Sequence, residues 1–277
     1  RKRNGANLLF DINTKDGGVI RFNNFYNNTI RDAAKYSRNY PLGDHVEYGI
    51  HEYQQNNHSI SNALTGENYL SKLKINWGLS HAFTVGERDF DHELQFDEGA
   101  TSESGMRSPT QEEWDNGIAF TPGDRLYPLA YNNFRTSYLD QGKFRKSKNQ
   151  DRDLMAHFDL ERTITFSDKI NMTVKAGAKY RYKDRVNELE RYRATYYNTR
   201  LMEYTMLEDG SIVPLDLSGT SFADLELVNS RVSMLNFIKD PNNPASRDIL
   251  NGNPINPLLD RGLAREWYET RKNAVNS

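Results

Sequence analysis

Apolar and polar residues alternate without a break between Ile170 and Lys183. The apolar positions are Ile170, Met172, Val174, Ala176, Ala178, Tyr180 and Tyr182, and the polar positions are Asn171, Thr173, Lys175, Gly177, Lys179, Arg181 and Lys183. Side chains of a β-strand point alternately to its two faces, so this pattern predicts one apolar and one polar face. Strands of globular sheets usually have about five or six residues. A much longer alternation that ends in tyrosines is typical of a transmembrane barrel strand.

The segment before it repeats the pattern and predicts a hairpin around residues 165–169. Its apolar side carries Leu154, Ala156, Phe158 and Leu160, and its polar side carries Asp153, His157, Asp159 and Glu161. Because both apolar sets have even numbers, the loop must have an odd number of residues. A loop centred on Ser167 pairs Asp159 with Lys175 and Asp153 with Arg181. A loop centred on Asp168 pairs Glu161 with Lys175 and Asp153 with Lys183. Both registers place acids opposite bases.

Further alternations predict further strands. A third long one has Leu73, Ile75, Trp77, Leu79, His81 and Phe83 on one side, and Lys72, Lys74, Asn76, Gly78 and Ser80 on the other. Shorter ones begin at Leu8, Ile20 and Val46, and the turn residues Lys15 to Gly18 lie between the first two. We therefore expect an all-β fold with about six antiparallel strands, which form part of a barrel wall.

The connections predict how the chain is organised. Short turns are expected at residues 15–18, 63–68 and 165–169, and a long loop is expected at about 87–150. Outer-membrane barrels have short periplasmic turns and long extracellular loops. We expect barrel strands and loops over residues 1–186. Residues 187–277 are predicted to be a truncated extracellular loop region with turns and short helices, one of them over 225–238.

Composition excludes several classes of protein. The chain has 277 residues, 36 Lys plus Arg against 38 Asp plus Glu, and no cysteine. Without a basic excess there is no reason to expect a nucleic-acid partner, and without cysteine there is no disulfide or thiolate chemistry. Only 36 % of the residues are hydrophobic, yet 16 are Tyr and 13 are Phe. This mixture suits a sheet that is apolar on one side and bordered by aromatic rings.

Several segments resemble TonB-dependent outer-membrane receptors. They are Ile20 to Tyr26, Leu64 to Asn68, Leu73 to His81, and Gly177 to Lys183. The resemblance implies a fragment from the middle of a barrel of about 22 strands. It also implies partners outside this fragment, namely the remaining barrel strands, a plug domain, the TonB complex that acts through the plug and, in some glycan importers, a surface lipoprotein. The expected location is the outer membrane, with lipid as a direct partner.

Candidate residues follow from this interpretation. The lumen-facing set is Lys72, Lys74, Asn76, Asp153, Asp159, Lys175, Lys179 and Arg181, and the lipid-facing set is Leu73, Ile75, Trp77, Leu154, Phe158, Val174 and Tyr180. Aromatic side chains of the predicted loops are candidates for ligand binding or for small loop cores. They are Trp114, Tyr127, Tyr131, Phe134, Tyr138, Trp267 and Tyr268.

The sequence indicates transport and not catalysis. We expect no catalytic residue, no cofactor and no metal site, because the six histidines lack ligand spacing and the carboxylates between Asp89 and Glu113 have the composition of a solvated loop. The expected activity is import of a glycan, a peptide or a metal chelate. The alternative is a secreted, soluble, β-rich carbohydrate-binding protein or adhesin, whose apolar faces a second sheet would cover. A β-rich glycoside hydrolase would need a carboxylate pair on rigid strands.

Overall fold

Six long strands form one antiparallel sheet in the order β1-β2-β3-β4-β5-β6 in a computed structural model of the chain. They are β1 (Lys2–Asn13), β2 (Val19–Asn39), β3 (Val46–Leu70), β4 (Leu73–Glu98), β5 (Tyr138–Ser167) and β6 (Ile170–Ala194). The structure describes residues 1–167, 169–194, 204–206, 209–214, 216–245, 247–250, 252–255 and 257–275. The predicted antiparallel sheet of about six strands is confirmed. The sheet is not closed, since β1 and β6 are its two edges.

The smaller elements lie between β4 and β5 and after β6. The helices are α1 (Gln111–Asp115), α2 (Gly123–Leu126) and α3 (Arg261–Val275), and 3-10 turns cover Ile118–Phe120, Tyr127–Leu129, Phe134–Thr136 and Met234–Phe237. The short strands are β7 (Tyr204–Met206), β8 (Ile212–Pro214), β9 (Leu227–Val228), β10 (Arg231–Val232), β11 (Arg247–Leu250) and β12 (Asn253–Ile255). None of the described helices combines the length and the apolar composition that crossing a membrane requires.

The predicted connections differ from the observed ones at two places. β3 continues through residues 63–68, and its turn to β4 falls at Ser71, whose φ is 56°. The connection between β4 and β5 covers residues 99–137 and not 87–150. Backbone pairing with a neighbouring strand continues where the apolar-polar alternation fades, because ladder hydrogen bonds do not depend on side-chain type. The strands predicted from periodicity alone were therefore too short.

The helix predicted over residues 225–238 is wrong. β9 and β10 form a tight hairpin there, followed by the 3-10 turn Met234–Phe237. The two turn residues, Asn229 and Ser230, have φ values of 51° and 64°. Two consecutive left-handed residues are what a type I′ hairpin turn requires, and Asn adopts this conformation more readily than most residues.

The chain divides into two compact units. Unit 1 contains Arg1–Asp32, Gln54–Asp89 and Lys146–Glu190, and unit 2 contains Ala33–Tyr53, Phe90–Arg145 and Arg191–Ser277. Every residue of the hydrophobic core belongs to unit 2, and Val85 is the one buried hydrophobic residue of unit 1 among the described residues. Unit 1 therefore has an extensive sheet but no core of its own.

The core of unit 2 is built largely from aromatic rings. Trp267 of α3 is fully buried, and its ring centroid lies 5.0 Å from Phe222 and 5.6 Å from Phe237. Helix α3 begins where Asp260 Oδ1 accepts a hydrogen bond from the backbone N–H of Leu263 at 3.0 Å. Such a cap satisfies a donor that the first helical turn cannot pair.

Candidate functional site

Apolar residues from five strands of unit 1 lie next to one another on one face of the sheet. A shallow groove brings together residues from five strands, and its apolar lining is Phe22, Leu64, Leu79, Leu154, Met155, Ala156 and Tyr180. At the edge of the sheet Phe10 pairs with Phe22 across β1 and β2, and their rings stack at 6.5 Å. The apolar residues that the alternation predicted separately for each strand therefore lie on the same side of the sheet.

No described part of unit 1 covers this face. Leu79 is 54 % exposed, Phe158 and Val174 are each 46 % exposed, and Tyr180 is 67 % exposed. A contiguous apolar surface of this kind is rare on soluble monomers and marks a protein or membrane interaction site. Of the predicted lipid-facing set, Leu154, Phe158, Val174 and Tyr180 are exposed, whereas Leu73, Ile75 and Trp77 are half-buried.

Two polar pairs on the apolar face are hydrogen-bonded across neighbouring strands, whereas the buried Oδ1 of Asn28 on β2 has no partner among the described residues. The side-chain amide of Asn24 donates to Asn62 Oδ1 across β2 and β3. The indole N–H of Trp77 donates to Asn68 Oδ1 at 3.1 Å. A polar group that is removed from water costs much less when it has a hydrogen-bond partner. The two hydrogen-bonded pairs are therefore compatible with an apolar environment.

The opposite face of unit 1 carries cross-strand ion pairs. Lys74 Nζ lies 3.0 Å from Glu67, Lys175 Nζ lies 2.9 Å from Glu161, and Arg185 Nε lies 2.7 Å from Asp151. Arg181 pairs with Asp153 through both carboxylate oxygens. Asn76, Asp159 and Lys175 of the predicted lumen-facing set line one shallow concavity, whereas Lys72 and Lys179 are exposed. Exposed pairs contribute little to stability but favour one strand register.

Two predicted registers of the β5–β6 hairpin each imply a set of acid-base pairs, and one ion pair from each set is observed. Glu161 pairs with Lys175, which is the prediction for a loop centred on Asp168. The hydroxyls of Thr163 and Thr173 lie 3.2 Å apart, which fits the same register. Asp153 nevertheless pairs with Arg181 and not with Lys183. A long arginine side chain reaches a diagonal partner as well as one directly opposite.

The predicted ligand-binding aromatics do not form one cluster. Trp267 is fully buried in the core of unit 2, and Tyr268 packs against Phe90, His92 and Phe144. Tyr127 meets Tyr40 edge to face at 6.4 Å, and the guanidinium of Arg231 lies over the ring of Tyr138. Phe134 is half-buried. Only Trp114 and Tyr131, which are 46 % and 47 % exposed, present much of their rings to solvent.

Five of the carboxylates predicted to lie in a loop belong to the C-terminal part of strand β4. They are Asp89, Asp91, Glu93, Asp97 and Glu98. Glu98 is fully buried and accepts hydrogen bonds from the Tyr48 hydroxyl at 2.5 Å and from the backbone N–H groups of Gly105 and Asn133 at 2.7 and 2.9 Å. It therefore anchors the 99–137 connection. Glu113 caps helix α1 together with Thr110.

Two arginine-carboxylate networks in unit 2 were not predicted from the sequence. Glu52, 1 % exposed, accepts hydrogen bonds from Arg261 Nε at 2.8 Å and from Arg265. Asp91 lies 2.8 Å from His51 Nε2 and 3.1 Å from Arg145 Nε. Burial raises the pKa of Asp91, but the contacts with His51 and Arg145 outweigh it and lower the pKa overall. These partners lie up to about 200 residues apart, so no local pattern indicates them.

Unit 1 therefore has two chemically different faces, one with exposed apolar side chains and one with cross-strand ion pairs. No protein-family model matches the sequence, and no curated protein matches it either. The resemblance to TonB-dependent receptors stays a prediction.

Proposed function

We propose that this chain is part of the wall of an outer-membrane β-barrel of the TonB-dependent importer type, with the apolar face of unit 1 against lipid. The observation that carries the proposal is the exposed apolar face of a sheet that has no core of its own. In water such a face is unfavourable by about 25 cal/mol for each Å² of apolar surface, and contact with lipid tails removes this cost.

The dimensions of the apolar face support this proposal. On β6 the exposed apolar positions extend from Ile170 to Tyr182. At about 3.3 Å per residue this distance is roughly 40 Å along the strand. With the tilt of about 45° that membrane strands adopt, it corresponds to a band about 28 Å tall. Outer-membrane barrels have an apolar band about 25 Å tall with aromatic residues at its borders, where Tyr180 and Tyr182 would lie.

The open edges of the sheet imply further strands. β1 is exposed along its whole length, and β6 is the opposite edge. Unpaired backbone groups cannot be left in the hydrocarbon region of a membrane, so both edges would pair with the remaining strands of the barrel. The ion-paired face would line the lumen and contact a plug domain through which the TonB complex acts.

The cargo would be a nutrient such as a glycan, a peptide or a metal chelate. Unit 2 has a hydrophobic core of the kind that water-exposed domains have, and it would face the aqueous phase outside the cell. Among the aromatic residues predicted to bind a ligand, Trp114 and Tyr131 are the exposed ones, and they remain the candidates for stacking on a ligand or on a surface lipoprotein. A soluble carbohydrate-binding protein or adhesin would need a cover for the apolar face, and no described part of unit 1 supplies one.

Cysteine labelling tests which medium each face contacts. The chain has no cysteine, so a single introduced thiol is the only reactive one. The variants Val174→Cys and Lys175→Cys place it on opposite faces at adjacent positions. When the chain and the remaining barrel strands are together in phosphatidylcholine vesicles, a water-soluble maleimide should label Lys175→Cys readily and Val174→Cys at least tenfold more slowly. In denaturant the two rates should be equal.

A second pair, Phe158→Cys and Asp159→Cys, serves as a matched repeat on β5. Equal labelling of both faces in vesicles would refute the membrane assignment. Protection of Val174→Cys and Phe158→Cys in lipid-free aqueous buffer would also refute it, because protein and not lipid would then cover the face.

A further inference from the structure

A histidine and two carboxylates converge in unit 2. His45 immediately precedes β3, Glu47 lies two residues further on the same side of the strand, and Asp97 lies near the end of β4. One ligand atom of each residue lies within 4.8 Å of the other two, and all three residues are half-buried. We propose that His45, Glu47 and Asp97 bind a divalent transition-metal ion such as Zn²⁺. This site is independent of the proposed membrane role of unit 1.

Each ring nitrogen of His45 lies close to a carboxylate. Its Nε2 lies 3.2 Å from Glu47 Oε1, and its Nδ1 lies 3.3 Å from Asp44 Oδ2. Histidines that bind metals almost always donate the second ring N–H to a carboxylate, a carbonyl or water, which sets the tautomer and the direction of the ring. Asp44 would therefore orient the ligand without binding the metal itself.

The carboxylates of this cluster lack the arginine partners that Glu52 and Asp91 have. Glu47 Oε2 accepts a hydrogen bond from the neutral amide of Asn39 at 2.5 Å, and Asp97 Oδ1 accepts one from Gln95 at 3.3 Å. Among the described residues, no lysine or arginine forms an ion pair with Glu47 or Asp97. Glu52, in contrast, has two arginine partners.

Three carboxylates, those of Asp44, Glu47 and Asp97, surround the single imidazole of His45. The side-chain amides that donate to Glu47 and Asp97 carry no charge. A bound divalent cation would place an opposite charge within a few ångströms of these carboxylates, which favours their ionised form.

The three ligand side chains indicate which class of metal ion would bind. Calcium and magnesium prefer oxygen ligands, whereas one imidazole nitrogen with two carboxylate oxygens suits Zn²⁺ and related ions. Three protein ligands leave one position of a tetrahedral ion for water. The sequence did not indicate this site, because His45 and Asp97 lie 52 positions apart in numbering and meet only when β3 and β4 pair.

Calorimetric titration of the chain in detergent micelles with ZnCl₂, after chelator treatment, tests the proposal. We expect saturable binding of one ion, and a loss of affinity of at least tenfold for Asp97→Asn, for Glu47→Gln and for His45→Gln. Asp44→Asn should weaken binding by roughly 10- to 100-fold through the orientation of the ring. The control variants His58→Gln and Glu112→Gln should bind as the unchanged chain does.

A second measurement needs no variant. X-ray absorption of the zinc-loaded chain should show oxygen and nitrogen ligands at about 2.0–2.2 Å that include imidazole. Absence of imidazole scattering, absence of zinc binding or unchanged affinity in the ligand variants would each overturn the proposal. Binding of CaCl₂ in preference to ZnCl₂ would also overturn it.

Discussion

Gly66 of β3 lies directly against the indole ring of Trp77 on β4. A Cβ atom at position 66 would lie 2.2 Å from Cε2 of that ring, which is far inside van der Waals contact. The absence of a side chain at Gly66 therefore lets the ring lie flat on the neighbouring strand, where its N–H reaches Asn68. The position of this aromatic residue on the apolar face depends on a glycine of the next strand.

Gly66→Ala should displace the ring of Trp77 and reduce stability by about 1–3 kcal/mol, the usual cost of overpacking. The chain has three tryptophans, so fluorotryptophan labelling gives three fluorine NMR signals. We expect the Trp77 signal to shift and those of Trp114 and Trp267 to stay in place. Gly123→Ala is the control, since nothing lies within 4 Å of its Cβ position. An unchanged Trp77 signal would contradict the packing described.

Glu52→Gln should destabilise unit 2 by about 3 kcal/mol, because it removes a buried charge on which two guanidinium groups converge. Chemical unfolding in detergent micelles, followed by the near-ultraviolet signal of the buried aromatic residues, measures this loss. Asp151→Asn removes an exposed partner of Arg185 and should change stability little. Similar effects of the two variants would argue against a structural role for the buried pair.

His92→Phe should make unit 2 less sensitive to acid. His92 is 1 % exposed and stacks on Phe144 at 4.8 Å, and burial, with a smaller effect of His51, lowers its pKa to about 3. Between pH 6.5 and 3 the unfolded chain therefore binds a proton that the folded chain does not. The stabilising contribution of the neutral ring is complete above pH 6.5 and decreases as the pH falls.

Urea unfolding at pH 7.5 and pH 5 measures this linkage. The stability difference between the two pH values should be about 2 kcal/mol smaller in His92→Phe than in the unchanged chain. His58→Phe, at a half-buried histidine, is the control variant. If both chains lost equal stability on acidification, His92 would not be the responsible group.

In a barrel that contains the remaining strands, Val174→Arg should impair folding into phospholipid vesicles by roughly 2–4 kcal/mol, the cost of a basic side chain near the middle of a bilayer. Thr173→Arg places the same residue one position away on the polar face and should change folding by less than about 0.5 kcal/mol. The folded fraction over a urea series gives both values. Equal effects would show that the two faces of β6 contact the same medium.

The alternation of apolar and polar residues predicted strands where one face of the sheet differs strongly in polarity from the other. The alternation at 73–83 and 170–183 predicted β4 and β6 and the apolar and polar sides of each. It failed where a strand carries polar residues on both sides, as in the 63–68 segment of β3, and where turn chemistry opposes a helical pattern, as at Asn229 and Ser230. The aromatic residues show the same limit, because composition did not distinguish the buried ring of Trp267 from the exposed ring of Trp114.

The sequence by itself determined which side chains share a face of each strand, because a two-residue repeat is a local property of extended backbone. It also determined that acids and bases would meet across the β5–β6 hairpin. Only the tertiary structure decided that all six long strands form one sheet in chain order, that no described part of unit 1 covers its apolar face, and that Glu52 meets α3. It alone brought His45 to Asp97. These relationships depend on contacts between residues far apart in the chain, and no local repeat encodes such contacts.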